Sequence, residues 1–356
     1  MKIAGIGMIF AQGLGIDSLE KALQNGWRKP AEVAVHPVIG GTLPAYLVDL
    51  TATPVKAMLK KVRRSDTLSR MSVVAATDAL VNSGIENISQ KKLGIIISTA
   101  FGPHVTTFDF LDDILDHGDA AVSPTTFSNS VHNAAASYVA TSLNIKGPTL
   151  TISQFQFSFQ AALQLAQVWL DQGRCDHVLV GAVDQYGEVL GYVSDHKLTT
   201  ARDGRIKPFT FNPTCQVPGE GAAFFLLSNG NEGNVYCDVD AVHIGDDPDR
   251  GKSVDINIID ADGMLSDESA YRSSLSADTP TAAYSPLFGS MMIGSAFNAA
   301  AGALMLKRQM HYAVPVLDNP HGVRLLTKSG SSSIESIRCT GFNCYADRSV
   351  IYLSRV

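Results

Sequence analysis

Residues 147–184 read GPTLTISQFQFSFQAALQLAQVWLDQGRCDHVLVGAVD. Thr149–Ser153 alternates in the manner of a strand, and residues 158–170 carry apolar side chains at helical spacing. Gly173 ends that helix, and His177–Val183 is a continuous apolar run suited to a strand buried on both faces. Strand, helix and strand in such close succession predict an α/β protein.

The same punctuation extends outward. Residues 2–9, 93–98 and 221–227 read as strands, and residues 67–83 read as a helix closed by Gly84. Residues 101–115 read as a second helix, with Phe108, Leu111 and Leu115 on one side. Beyond Gly230-Asn231-Glu232-Gly233 the pattern restarts. Strands are expected at 235–242, 254–259, 282–287, 337–340 and 349–353, with helix at 268–275 and from the Gly/Ser/Ala-rich stretch through Leu306. Strand–turn–helix units at 149–170 and 282–306 predict two related halves, residues 1–230 and 231–356.

Composition narrows the function. Of 356 residues, 45% are hydrophobic and 17% charged, which favours a large core over disorder. The net charge of 28 − 34 = −6 argues against a nucleic-acid partner, which demands a basic face. No apolar run reaches the roughly 18–20 residues of a membrane span. The N-terminus reads as a strand, not a signal peptide, so a cytoplasmic location is expected. The cysteines, Cys175, Cys215, Cys237, Cys339 and Cys344, are scattered and form no metal-ligand spacing, so neither metal nor cofactor is expected. Gly5-x-Gly7 followed by Gly13 does not fit a dinucleotide-binding fingerprint.

Several blocks stand in a telling order: Ser123 to His132-Asn133, Gly147-Pro148-Thr149, Gly173-Arg174-Cys175-Asp176, Lys207-Pro208-Phe209, and Pro218-Gly219-Glu220-Gly221-Ala222. Together they resemble the β-ketoacyl-acyl-carrier-protein synthases over nearly the whole chain. The resemblance implies a thiolase-like five-layer αβαβα fold built from two similar halves, normally dimeric. Active members place a nucleophilic cysteine at the N-terminus of the buried helix, where the helix dipole and backbone N–H groups favour a thiolate. That cysteine lies 17 residues before the glycine of the Gly-x-x-Asp turn, and 173 − 17 = 156 is Gln156, which has no nucleophilic atom. The first catalytic histidine maps near Asp262-Gly263, the second onto Ala296, and the catalytic lysine onto Met291. The C-terminal Gly-Phe-Gly-Gly-Thr loop becomes Gly341-Phe342-Asn343-Cys344-Tyr345. An ionised Asp262 would oppose the negative charge that the histidines stabilise.

A glutamine at the cysteine position is also found in chain-length factors. These silent ketosynthase-like subunits of type II polyketide and aryl polyene synthases pair with a catalytic subunit and shape its acyl tunnel. The resemblance then implies two partners, a catalytic β-ketoacyl synthase subunit and an acyl carrier protein. Thr106, Thr107, Phe108, Phe110, Leu111, Phe155, Phe157 and Phe342 are the tunnel and interface candidates. The basic cluster Lys60, Lys61, Arg63 and Arg64 is the candidate docking patch for the acidic carrier. The competing expectations are a helix 101–115 packed on its own core, Gln156 as a helix-capping amide, and Glu220 as a structural acid. The alternative function is a self-sufficient thiolase-fold enzyme, such as a malonyl-carrier-protein decarboxylase or an acyltransferase.

Overall fold

The computed structural model describes residues 1–35, 40–88, 91–265 and 267–356. Its strands are β1 (Lys2–Phe10), β2 (Gly13–Leu14), β3 (Ala31–Ala34), β4 (Thr42–Ala45), β5 (Leu93–Thr99), β6 (Thr149–Ser153), β7 (His177–Asp184) and β8 (Gly221–Ser228) in the first half. The second half adds β9 (Cys237–Ile244), β10 (Ile256–Ile259), β11 (Thr281–Ala282), β12 (Met310–His311), β13 (Gly330–Ser331), β14 (Ser336–Phe342) and β15 (Arg348–Ser354). The helices are α1 (Ile16–Asn25), α2 (Thr53–Met58), α3 (Thr67–Ser83), α4 (His104–His117), α5 (Pro124–Asn129), α6 (Ala134–Leu143), α7 (Ser158–Asp171), α8 (Glu188–His196), α9 (Glu268–Ser273) and α10 (Gly294–Arg308).

Two five-strand blocks repeat one pattern. The first runs β1-β8-β7-β5-β6, with β1/β8 and β8/β7 antiparallel and β7/β5 and β5/β6 parallel. The second runs β9-β15-β14-β10-β11 with the same sequence of directions. A short β1/β9 pairing at Lys2–Asp238 and Ile3–Cys237 joins them into one sheet. Helices α7 and α10 follow β6 and β11 and share one apolar core with the inner faces of both blocks. Helices α3 and α6 bury the other face of the first block, against Ile95, Ile97, Leu179, Phe224 and Leu226. Alternate residues of β5, β7 and β8 thus go to different cores, which is why these strands are apolar throughout.

The second block lacks a counterpart of α3. Between β9 and β10 the chain crosses in an irregular stretch, residues 245–255, and the outer face beneath combines a small apolar cluster, Val254, Val350 and Tyr352, with polar groups. There Asn257 and Arg338 bond the Ser274 carbonyl, while Asp247 accepts from Arg348 at 2.9 Å and from the Tyr352 hydroxyl at 3.1 Å. The outer layer of this half is therefore thin, formed by that crossing and α9.

Some expected elements shift. Strand 282–287 shrinks to Thr281–Ala282 followed by a 3-10 turn at Ser285–Leu287, because Pro286 cannot donate to a ladder. The helix expected from Phe101 starts at His104, after Pro103. Gly5 and Gly7 serve packing: a Cβ on Gly7 would lie 2.1 Å from the Ala79 nitrogen of α3. Gly147 likewise lets the chain pass Leu93, whose carbonyl oxygen would stand 2.0 Å from an added Cβ.

Candidate functional site

Loops at the ends of β6, β10, β11 and β14 converge on one cavity. It is lined by Gln156, Phe157, Asp260, Asp262, Met291 and Phe342, with Ser285, Ser295 and Asn298 among the other walls. The fold thus gathers the positions that the resemblance assigns to the nucleophile, the first histidine, the lysine and the C-terminal loop. The cavity is small, about 30 Å³.

Each wall has a local cause. Phe157 takes a left-handed conformation (φ 61°, ψ 19°) that turns the chain from β6 into α7, and it is buried. Gln156 does not cap α7, contrary to one sequence reading. Its Oε1 meets the Cys344 Sγ at 3.8 Å, and its carbonyl accepts from Gln154 Nε2 at 2.7 Å. Asp260 accepts the Phe342 N–H at 2.7 Å and so ties the 341–347 loop to β10. Asp262 accepts the Met264 N–H at 3.0 Å. Ala296 is wholly buried in α10, and Ser295 and Asn298 face the cavity where the second histidine was placed.

Burial raises the pKa of both Asp260 and Asp262, and their mutual repulsion raises that of Asp260 further. The pair favours holding a proton. The sign of the pH effect follows. At about pH 4 and below, folded and unfolded chains are both protonated there. Above that the unfolded chain ionises first, so this contribution to stability falls as pH rises until the folded pair ionises too. Asp262→Asn keeps the acceptor for Met264 and removes the charge. Its unfolding midpoint is expected to gain on wild type steadily from pH 4 to pH 8; parallel melting curves would contradict this.

The tunnel candidates divide. Phe157 and Phe342 are buried at the cavity, whereas Phe155 is exposed and stands edge-on to Phe101 at 5.4 Å. Helix α4 buries none of its residues fully, and Val105, Phe110 and Ile114 are half-buried. Phe108, Leu111 and Leu115 are 42%, 44% and 81% exposed and share one face. Thr106 reaches Asp66 at 3.4 Å, Thr107 bonds the Pro103 carbonyl, and Phe110 packs on Phe127 at 5.5 Å. Exposed Leu150 lies on β6, the end strand of its block. Lys60, Lys61, Arg63 and Arg64 are all exposed in the turn before α3. Glu220 is structural: its two oxygens accept the N–H groups of Val48 (2.9 Å) and Tyr186 (3.0 Å), and burial raises its pKa.

The contact of Cys344 with Gln156 is what sequence reasoning missed. Cys344 is remote in sequence from the Gly-x-x-Asp turn, and only the departure from Gly-Gly in the C-terminal loop marked it.

Comparison with known proteins agrees with this geometry. The family model for the β-ketoacyl synthase N-terminal domain matches residues 2–232, and the chain belongs to that family. A putative polyketide β-ketoacyl synthase 1 from Streptomyces virginiae is 29% identical over 183 residues, 47% of this chain and 43% of that protein. The match thus spans less than half the length of this curated relative. A chain of the ishigamide ketosynthase/chain length factor superposes with a TM-score of 0.82 at 14% identity, covering 100% of this chain and 98% of that one. A β-ketoacyl synthase from Burkholderia phymatum STM815 gives 0.80 at 18% identity, covering 100% of both chains. At these identities the structural likeness defines the fold, which is the thiolase-like α/β architecture. Among the described residues no helix is long and apolar enough to cross a membrane.

Proposed function

We propose that this chain is a non-catalytic ketosynthase-like subunit, a chain-length factor, that pairs with an active β-ketoacyl synthase and shapes its acyl tunnel in polyketide or aryl polyene synthesis. The two halves, 1–230 and 231–356, act as one compact unit in the cytoplasm. The observation that carries the reading is the cavity itself. Gln156 stands for the nucleophile, acids stand for one histidine and Ser295 with buried Ala296 for the other, and the space is small. Condensation needs a nucleophile to hold the acyl group and donors to stabilise the enolate, and neither set is complete here.

The exposed apolar side chains on α4 and on β6 support pairing, since exposed apolar patches mark interaction surfaces. Obligate interfaces commonly exceed about 2,000 Å². The Lys60–Arg64 segment is proposed to steer the acidic carrier protein by long-range attraction.

Co-expression with an intact cysteine-containing synthase, followed by size exclusion and mass measurement, tests the pairing. A chain that stays apart from every such synthase overturns it. The Gln156→Ala complex is expected to keep most condensing activity, because the partner supplies the chemistry. Complete loss in a well-assembled Gln156→Ala complex would assign Gln156 a direct role and favour the enzyme alternative.

A further inference from the structure

We propose that helix α4 docks into an apolar groove of the partner subunit that is rimmed on one side by lysine or arginine side chains. This rests on the pairing reading and adds the chemistry that the partner must present. The outward half of α4 carries two stripes side by side. At about 100° per residue, Phe108, Leu111 and Leu115 fall on one, and Asp109, Asp112 and Asp116 fall on the other, all six exposed. Half-buried Phe110 and Ile114 lie on the opposite side, where Phe110 packs on Phe127 of α5.

The acids work against their own helix. With Asp113 they give α4 four Asp and no Lys or Arg, a charge of 0 − 4 = −4 against −6 for the whole chain. Asp109/Asp113 and Asp112/Asp116 stand four residues apart, where like charges destabilise a helix. Asp116 lies in the last turn, where the helix dipole favours a cation. Partial burial, then repulsion from Asp112, Glu188 and Asp113, raises the Asp109 pKa. Among the described residues, none of the four acids has an ion-pair partner. Helix stability therefore does not account for the stripe, and cations brought from outside would relieve it.

Sign and shape select the occupant. Three apolar side chains along one helical stripe suit a groove, and the acids beside them ask for a basic rim. An acidic carrier protein is repelled here, and α4 of a second copy would set carboxylates against carboxylates. Thr106 reaches Asp66 at 3.4 Å, so α4 stands beside the turn that holds Lys60, Lys61, Arg63 and Arg64. The surface is thus divided by charge: the basic turn suits the acidic carrier and the acidic helix suits the synthase.

The test compares the full chain with its Asp109→Asn/Asp112→Asn/Asp116→Asn variant, which keeps the shape and removes the charge. Circular dichroism confirms the fold, with melting expected at or above wild type because repulsion is relieved. Association with the intact synthase used in the pairing test is followed by stopped flow. Two sodium chloride concentrations serve, about 0.01 M and about 0.15 M, where the screening length is about 30 Å and about 8 Å. The wild-type chain is expected to associate about tenfold faster at the lower salt, and the variant at one slow rate in both. A variant as fast as wild type at low salt, or equally salt-sensitive, would overturn the proposal, as would a wild-type rate that rises with salt. Size exclusion at the higher salt scores pairing itself. A wild-type chain that forms no complex there overturns the pairing reading and this one with it, whereas a complex whose assembly ignores the three charges removes the basic rim alone.

Discussion

Replacing Leu115 and Leu150 together by aspartate is expected to abolish assembly with a partner synthase while leaving the chain itself folded. Both side chains are exposed on the isolated subunit, at 81% and 43%. Exposed substitutions away from special features typically change stability by no more than about 0.5 kcal/mol. Within an apolar interface the same carboxylates lose water without gaining a counter-ion, at several kcal/mol each. At 1.4 kcal/mol per tenfold, affinity should fall by about a thousandfold or more. Titration calorimetry or size exclusion of the mixed subunits measures it, with circular dichroism as the folding control. A variant that still assembles at near-normal affinity would exclude α4 and β6 from the interface.

The second large effect concerns product length. If the α4 face borders a shared tunnel, Phe108→Ala removes a ring that stops the growing chain. The ring is 42% exposed on the free subunit, so the folding cost should stay below the roughly 3–5 kcal/mol of a buried Phe→Ala change. In the complex the vacated space can be filled by acyl methylenes, each contributing about 0.8 kcal/mol. Longer products from a well-assembled Phe108→Ala complex are therefore expected by mass spectrometry. Unchanged lengths would remove Phe108 from the tunnel.

The inner architecture was legible because buried strands and helices carry strong periodic signals. Strands β5, β7 and β8 have uninterrupted apolar runs, and α7 and α10 show small and apolar residues ended by Gly or a basic turn. Elements stabilised mainly by tertiary contact were not legible. Helix α6 starts after Asn133 with no side-chain cap, whereas α1, with Ile16, Leu19, Ala22 and Leu23 at helical spacing, carried a signal that the reading passed over. The hairpin β3/β4 carries Pro44 inside a strand, which a sequence reading scores against pairing. The site was partly legible: spacing located Gln156, Asp262 and Met291, which do meet at one cavity. The resemblance placed the second histidine position at Ala296, which lies next to the cavity-lining Ser295. The approach of Cys344 to Gln156 joins residues 188 positions apart, and no local pattern encodes such a contact.

The apolar face on α4 and the end strand β6 bear on how the chain lives in a cell. The free edge of β6 offers unpaired N–H and C=O groups as a template for further pairing, and exposed Leu150 and Phe155 lie on it and just beyond it. Chains made in excess of a partner would present this template to one another and to chaperones and proteases. If the chain pairs as proposed, its abundance is expected to follow the scarcer subunit, and balanced synthesis of the two chains would be favoured.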